Sequence, residues 1–225
     1  MKLGVISDVH GNIAALDAVL AEFSRRGVDE ILCLGDMIGI GPFPAETVKR
    51  IMGLKNLRGC VRGNHEGYLL DGLPESMGDE ERAFHLWEHA RIGASERAFL
   101  AALPSYLSFS LDGVHVWAGH YPMTGLAASH AEAAAACPDA QVCLYGHDHS
   151  RGVTVSDGRI CADFGALGCP SKLRDIARAG IVHIENGAAS AEPIDVRYDV
   201  SATLRAINDF NYPAKSTILR IFYGL

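Results

Sequence analysis

Hydrophobic positions in the first sixty residues follow two different periods. Leu3 to Ile6 is an unbroken apolar run and predicts a buried strand; Ile31 to Leu34 is another. Between them Ile13, Leu16, Leu20 and Phe23 recur at helical spacing, with Asn12 placed to cap the helix and Gly27 to end it. Strand, helix, strand at this length predicts a βαβ unit, whose parallel strands end on the same edge. Val48 and Ile51 mark one face of a second helix, and Leu57 to Val61 a third strand.

From Gly67 to Pro104 the pattern is polar and helical, with few strand formers. It predicts a helical insertion at about 67–104 lying over whatever the strand ends carry, with Asp79 and Ser95 as helix caps. From Tyr106 onward the chain turns to alternation. Asp112-Gly113 between alternating runs predicts a tight type I′ hairpin, and Asp157-Gly158 and Asn186-Gly187 predict two more. An Ala-rich helix is expected from Ser129 to Ala136, a buried strand from Val142 to Tyr145, and a helix from about Ser201 to Phe210. The apolar tail Ile218 to Tyr223 is expected to pack on the domain or on a twin subunit in a homo-oligomer. No repeat or low-complexity linker breaks the pattern, so residues 1–225 read as a single domain.

Composition narrows this picture. With 225 residues, 48% hydrophobic and 21% charged, the chain can build a full core. A net charge of −7 argues against binding nucleic acid through an extended basic surface. No run approaches the roughly 18 apolar residues of a membrane span, so no membrane is expected. No secretory signal precedes the first strand, and the six cysteines form no CxxC pair. Both point to reduced cysteines and a cytoplasmic location.

The chemistry lies at the predicted strand ends. Asp36 closes the strand Ile31 to Leu34, and Asp8 and His10 follow the first strand. Asn64 and His65 follow the third, and His120, His147 and His149 follow later ones. Asp8 and His10, one residue apart, point the same way if the backbone is extended, as do His147 and His149. Carboxylates mixed with imidazoles suit manganese, iron or zinc, and the lack of paired thiols argues against a structural zinc site. So many donors exceed what one ion takes, and a second ion sharing Asp36 accounts for the surplus.

The series Asp8-x-His10, Gly35-Asp36, Gly63-Asn64-His65-Glu66, His120 and Gly146-His147-x-His149, with the Gly39-x-Gly41-Pro42-x-Pro44 loop, resembles the calcineurin-like metallophosphoesterase family. It is most similar to the small bacterial and archaeal phosphodiesterase branch. The resemblance implies an α/β fold, a four-layer α/β/β/α sandwich of two mixed sheets flanked by helices. It implies two divalent transition-metal ions, manganese first, with iron, zinc or nickel as alternatives. Asp8, His10 and His149 would hold one; Asn64, His120 and His147 the other; Asp36 would bridge, and His65 would be catalytic. The implied activity is metal-dependent hydrolysis of a small phosphate ester, a phosphodiester first, by a hydroxide held between the metals. The alternatives are a phosphomonoesterase or protein phosphatase, or a non-catalytic scaffold of the same fold.

Five further positions near these donors stay open. Glu66 either orients His65 or is an exposed loop carboxylate. Arg62 either contacts substrate phosphate or forms a surface salt bridge. Tyr121, where the family has Gly, is expected to shape the substrate pocket. His85 and His89, four apart on a predicted helix, could hold a metal but are expected to be solvated or capping. The loop Gly165 to Pro170 matches a family segment only in outline.

Overall fold

The computed structural model describes residues 1–121, 137, 139–169 and 173–225. The expected helix Ser129 to Ala136 lies outside these residues, as does Pro170 of the Gly-rich loop. Strand β1 (Lys2–Ile6), helix α1 (Ile13–Arg26), β2 (Glu30–Cys33), α2 (Pro44–Met52) and β3 (Leu57–Cys60) open the chain. Asn12 caps α1 by accepting the Ala15 N–H at 3.2 Å, and Gly27 ends it in the left-handed region at φ 66°. β1 and β2 run parallel with Leu3 opposite Glu30 and Ile6 opposite Cys33, and β2 pairs in parallel with β3.

Helices α3 (Asn64–Leu70), α4 (Asp79–His89) and α5 (Ala94–Ala101) follow. Gly78 and Gly93, not Asp79 and Ser95, occupy the cap positions. Asp79 falls in the first turn instead, where its charge complements the helix dipole. The hairpin β4 (Tyr106–Leu111) and β5 (Val114–Gly119) turns at Asp112 and Gly113, with φ of 43° and 79° as a type I′ turn requires. Then come β6 (Val142–Tyr145), β7 (Gly152–Ser156), β8 (Arg159–Asp163), β9 (Ile176–Glu185), β10 (Ala188–Arg197), α6 (Ser201–Asp209) and α7 (Lys215–Phe222).

The strands form two mixed five-stranded sheets, ordered β10-β9-β1-β2-β3 and β4-β5-β6-β8-β7. Period-two alternation explains why they stack. Leu3, Val5, Leu32 and Leu34 face Val114, Val116, Val142 and Leu144 of the second sheet in one dry core. Ile6, Ile31 and Cys33 point the other way, onto Leu16, Val19 and Phe23 of α1 and Val48 and Ile51 of α2. Seven helices flank the sheets among the described residues. This is the α/β architecture expected of the resemblance. The apolar tail packs on its own chain: Ile218 and Tyr223 join Phe84 of α4 and Ile207 of α6 in a third cluster. All six cysteines are free and buried.

Candidate metal centre

The loops that follow β1 and β2 run side by side. The Asp8 N–H donates to Gly35 O at 3.1 Å, the His10 N–H to Asp36 O at 2.9 Å, and the Gly11 N–H to Met37 O at 3.0 Å. On the other flank the Leu167 N–H donates to Ser7 O at 3.0 Å and the Gly168 N–H to Asp8 O at 2.9 Å. The Gly-rich loop, unassigned from sequence, is thus a brace for the Asp8 loop. It also sets Cys169 Sγ 3.5 Å from His149 Nδ1.

The backbone here is not extended. Asp8, His10, Asp36, His147 and His149 have φ of 53°, 47°, 49°, 82° and 59°. This corrects the expectation that Asp8 and His10, and likewise His147 and His149, share a direction through strand alternation. Left-handed residues aim these side chains inward, a conformation non-glycine residues adopt at a cost and keep only where the surroundings fix it. Asn64 and His65 do not sit on a strand either. They open α3, where successive side chains diverge by about 100° round the axis. Gly63 before them is forced by contact, since a Cβ there would strike the Asp36 carboxylate.

Two donor clusters result. In the first, His10 Nε2 lies 2.9 Å from His149 Nε2, and these atoms lie 3.8 Å and 3.5 Å from Asp8 Oδ1. In the second, Asn64 Oδ1 lies 3.1 Å from His120 Nε2 and 3.0 Å from His147 Nδ1, while His120 Nε2 is 3.3 Å from Asp36 Oδ2. Asp36 stands between them: its carboxylate also groups with His10 and His65 within 4.8 Å.

The residues fit a cation at each cluster. Asp8 Oδ1 is buried with no hydrogen-bond partner, an orphan that a cation would satisfy. Leu34 O lies 2.8 Å from His120 Nδ1 and Ile38 O 3.1 Å from His10 Nδ1. Those carbonyls fix the proton on Nδ1 and leave Nε2 lone pairs turned into the site. At the Asn64 oxygen, acceptor then meets acceptor. A proton can occupy the gap instead: burial pulls the His120 imidazole down, but the Asp36 charge outweighs it and holds it above its ordinary value. Asp36 stays well below the usual carboxylate range despite its burial, because His120 and His65 face it. Burial, then the neighbouring His149, lower His10, and burial with His120 lowers His147.

His65 adjoins both clusters. Its N–H donates to Asp36 Oδ1 at 2.9 Å, its Nε2 lies 3.9 Å from Asp36 Oδ2, and its ring centroid is 5.0 Å from that of His10. Burial pushes its imidazole down to about 4, opposed by the Asp36 charge. The ring packs against Gly39, where φ is 94° and a Cβ would collide with it. Tyr121 forms a wall of the second cluster, its ring 4.5 Å from that of His147.

Two of the open positions, Glu66 and His85, are buried and not exposed. Glu66 is fully buried and accepts N–H groups from Asp36, Met37 and Gly63, so it is no exposed loop carboxylate. His85 is buried rather than solvated, its ring 5.1 Å from His65, while His89 is half-buried. Sequence reasoning missed Glu88, one turn along α4: it is buried and accepts the Gly39 N–H. His65 Nδ1, His85 Nδ1 and Glu88 Oε2 all lack hydrogen-bond partners. The signal was present as the apolar Phe84 beside His85, which turns that face of α4 inward. Arg62 pairs with Asp71, the surface alternative, and not with the donor clusters.

A family model described as the calcineurin-like phosphoesterase superfamily domain matches residues 1–187. An uncharacterized protein of Methanocaldococcus jannaschii is 35% identical over 119 residues, 52% of this chain and 48% of that protein. Phosphodiesterase YfcE of Escherichia coli is 33% identical over 72 residues, 28% of this chain and 39% of that protein. The chain therefore spans less than half the length of these curated relatives. The crystal structure of a metallophosphoesterase from Sphaerobacter thermophilus superposes with a TM-score of 0.79 at 26% identity, covering 100% of this chain and 99% of that one.

Proposed function

The chain belongs to the calcineurin-like phosphoesterase superfamily, and from that premise we propose that it is a dinuclear-metal phosphoesterase acting on small phosphate esters, phosphodiesters first. The observation that carries this reading is the convergence of two donor clusters on either side of Asp36, with His65 against both. Asp8, His10 and His149 would hold one divalent ion, and Asn64, His120 and His147 the other, with Asp36 shared. Such a pair supplies an activated water at neutral pH and charge stabilisation for the phosphoryl oxygens.

The chain's own residues do the rest. Leu34 O and Ile38 O keep His120 and His10 in the tautomer that presents Nε2. Glu66 holds the Asp36 loop in place through backbone N–H groups. His65 donates a proton to the departing alkoxide. Burial disfavours its charged form and the Asp36 charge opposes that; the negative charge of a phosphate ester beside it acts in the same direction as Asp36. Tyr121 limits the space beside His147. Residues 67–104 are read as an insertion in a single 1–225 domain, reaching the site through His85 and Glu88.

Hydrolysis of bis(p-nitrophenyl) phosphate and p-nitrophenyl phosphate by manganese-loaded protein tests the reading. Metal-dependent turnover with the diester faster is the expected result. A faster monoester would move the assignment to a phosphomonoesterase, and no turnover of either would remove the enzyme reading.

A further inference from the structure

A cleft of about 310 Å³ opens between α4 and α7, at the lower end of the range for small-ligand pockets. We propose that it receives the organic group of the ester, and that this group is apolar and uncharged rather than a second phosphate or another anion. The inference rests on the phosphoesterase reading of the adjoining site and narrows it to a class of ester.

Position comes first. His65 lines the cleft and also lies 3.9 Å from the Asp36 carboxylate. An ester oxygen within reach of the His65 imidazole therefore has its organic group at the mouth of this cleft. The cleft is not a remote cavity but a continuation of the candidate reaction site.

The walls then select the chemistry. Ile40, Phe84 and Ile218 are buried parts of them, and Ile221, 49% exposed, stands where a ligand would enter. An apolar group buried there releases water from both surfaces. The carboxylates lining the cleft are Glu80 and Glu81, the imidazoles are His65 and His85, and among the described residues no lysine or arginine lines it. A carboxylate or phosphate on the organic group would face the two like charges with no lysine or arginine to pair it, while His65 is engaged at the ester oxygen and His85 Nε2 lies 3.9 Å from Glu81. Glu80 also accepts the Thr217 hydroxyl at 2.9 Å, tying α4 to α7 across the cleft. Finally, α7 lies beyond residue 187, where the matched family region ends. One wall of the cleft therefore lies outside that matched region.

The test gives manganese-loaded protein two phosphodiester substrates whose leaving phenols have matched pKa values, one neutral and one carrying a carboxylate. The neutral ester should be preferred in kcat/KM by about 10-fold or more, the scale of discrimination by an apolar pocket. Ile221→Lys, which removes apolar surface and supplies a cation, should erase most of that preference while metal content stays at the wild-type level. Glu81→Lys should narrow it from the other side, by speeding the anionic ester. Calorimetric titration with 1-naphthol on the same samples reads the cleft without turnover. Equal kcat/KM for the two esters, or an unchanged preference in Ile221→Lys, overturns the assignment and leaves the phosphoesterase reading standing. If no ester is hydrolysed, the phosphoesterase reading fails, and naphthol then decides the cleft alone. Binding lost in Ile221→Lys supports an apolar ligand site, and no binding to wild type overturns it. Binding that falls as protein concentration rises would mean that a second copy fills the cleft, and also overturns it.

Discussion

Glu66 Oε2 accepts the backbone N–H of Asp36 at 2.9 Å, although thirty residues separate the two in sequence. The same carboxylate takes the Met37 N–H at 2.8 Å and the Gly63 N–H at 2.8 Å. One buried side chain therefore joins the loop after β2 to the start of α3, which are the two segments that deliver Asp36, Asn64 and His65. Removing it would leave buried N–H groups unpaired, at roughly 1–3 kcal/mol each. Glu66→Ala should lower Tm by several degrees and weaken manganese binding, whereas Glu66→Gln, which keeps an acceptor oxygen, should lose less of both. Scanning calorimetry and metal titration on the two variants check this. Equal losses in both would mean that the charge, and not the acceptor geometry, holds the loop.

Metal content discriminates the bridge. Wild-type protein loaded with manganese should carry close to two ions per chain by elemental analysis. Asp36→Asn should lose more metal than His10→Ala, because Asp36 adjoins both donor clusters and His10 only one. Saturation at one ion would remove the dinuclear reading.

His65 separates from the ligands under mutation. His65→Ala should keep near wild-type metal content and slow esters of poor leaving groups by about 10²–10⁴-fold, the usual worth of general acid catalysis. p-Nitrophenyl esters need little protonation and should slow far less. Asn64→Ala should instead lower metal content and slow both substrate types together. A His65→Ala enzyme slowed equally on every leaving group would make His65 a stabiliser of phosphate charge and not a proton donor.

Asp163, which is not itself one of the proposed ligands, gives a pH dependence. Burial pushes its carboxyl up to about 9, with the Asp148 carboxyl adding to the rise. Its Oδ1 accepts the Gly165 N–H at 2.7 Å. A carboxyl raised in the folded state stabilises the fold fully below its ordinary value near 3.8, and that stability is lost as pH rises toward 9. In chelator-treated protein, Asp163→Asn keeps the acceptor and cannot ionise. It should be more stable than wild type at pH 8 and should lose that advantage near pH 4, as read by urea unfolding at the two pH values. A constant difference across that range would mean that Asp163 does not titrate in the folded protein.

The sequence alone determined the elements and most of the donors. Apolar period sets strands and helices locally, so β1, α1 with its Asn12 cap, and the Asp112-Gly113 hairpin were legible without a structure. So was the gathering of Asp8, His10, Asp36 and the later histidines at strand ends, because parallel βαβ units place those ends on one edge. Tertiary structure decided how they converge. Left-handed φ at Asp8, His10 and Asp36 depends on hydrogen bonds from loops far away in the chain, and spacing carries no record of them. The same holds for Glu66, His85 and Glu88. A carboxylate or imidazole in a polar stretch reads as solvated until packing buries it. Glu66 is buried under the loop after β2, some thirty positions away in the chain, and Glu88 against Gly39 of the same loop, forty-nine positions away.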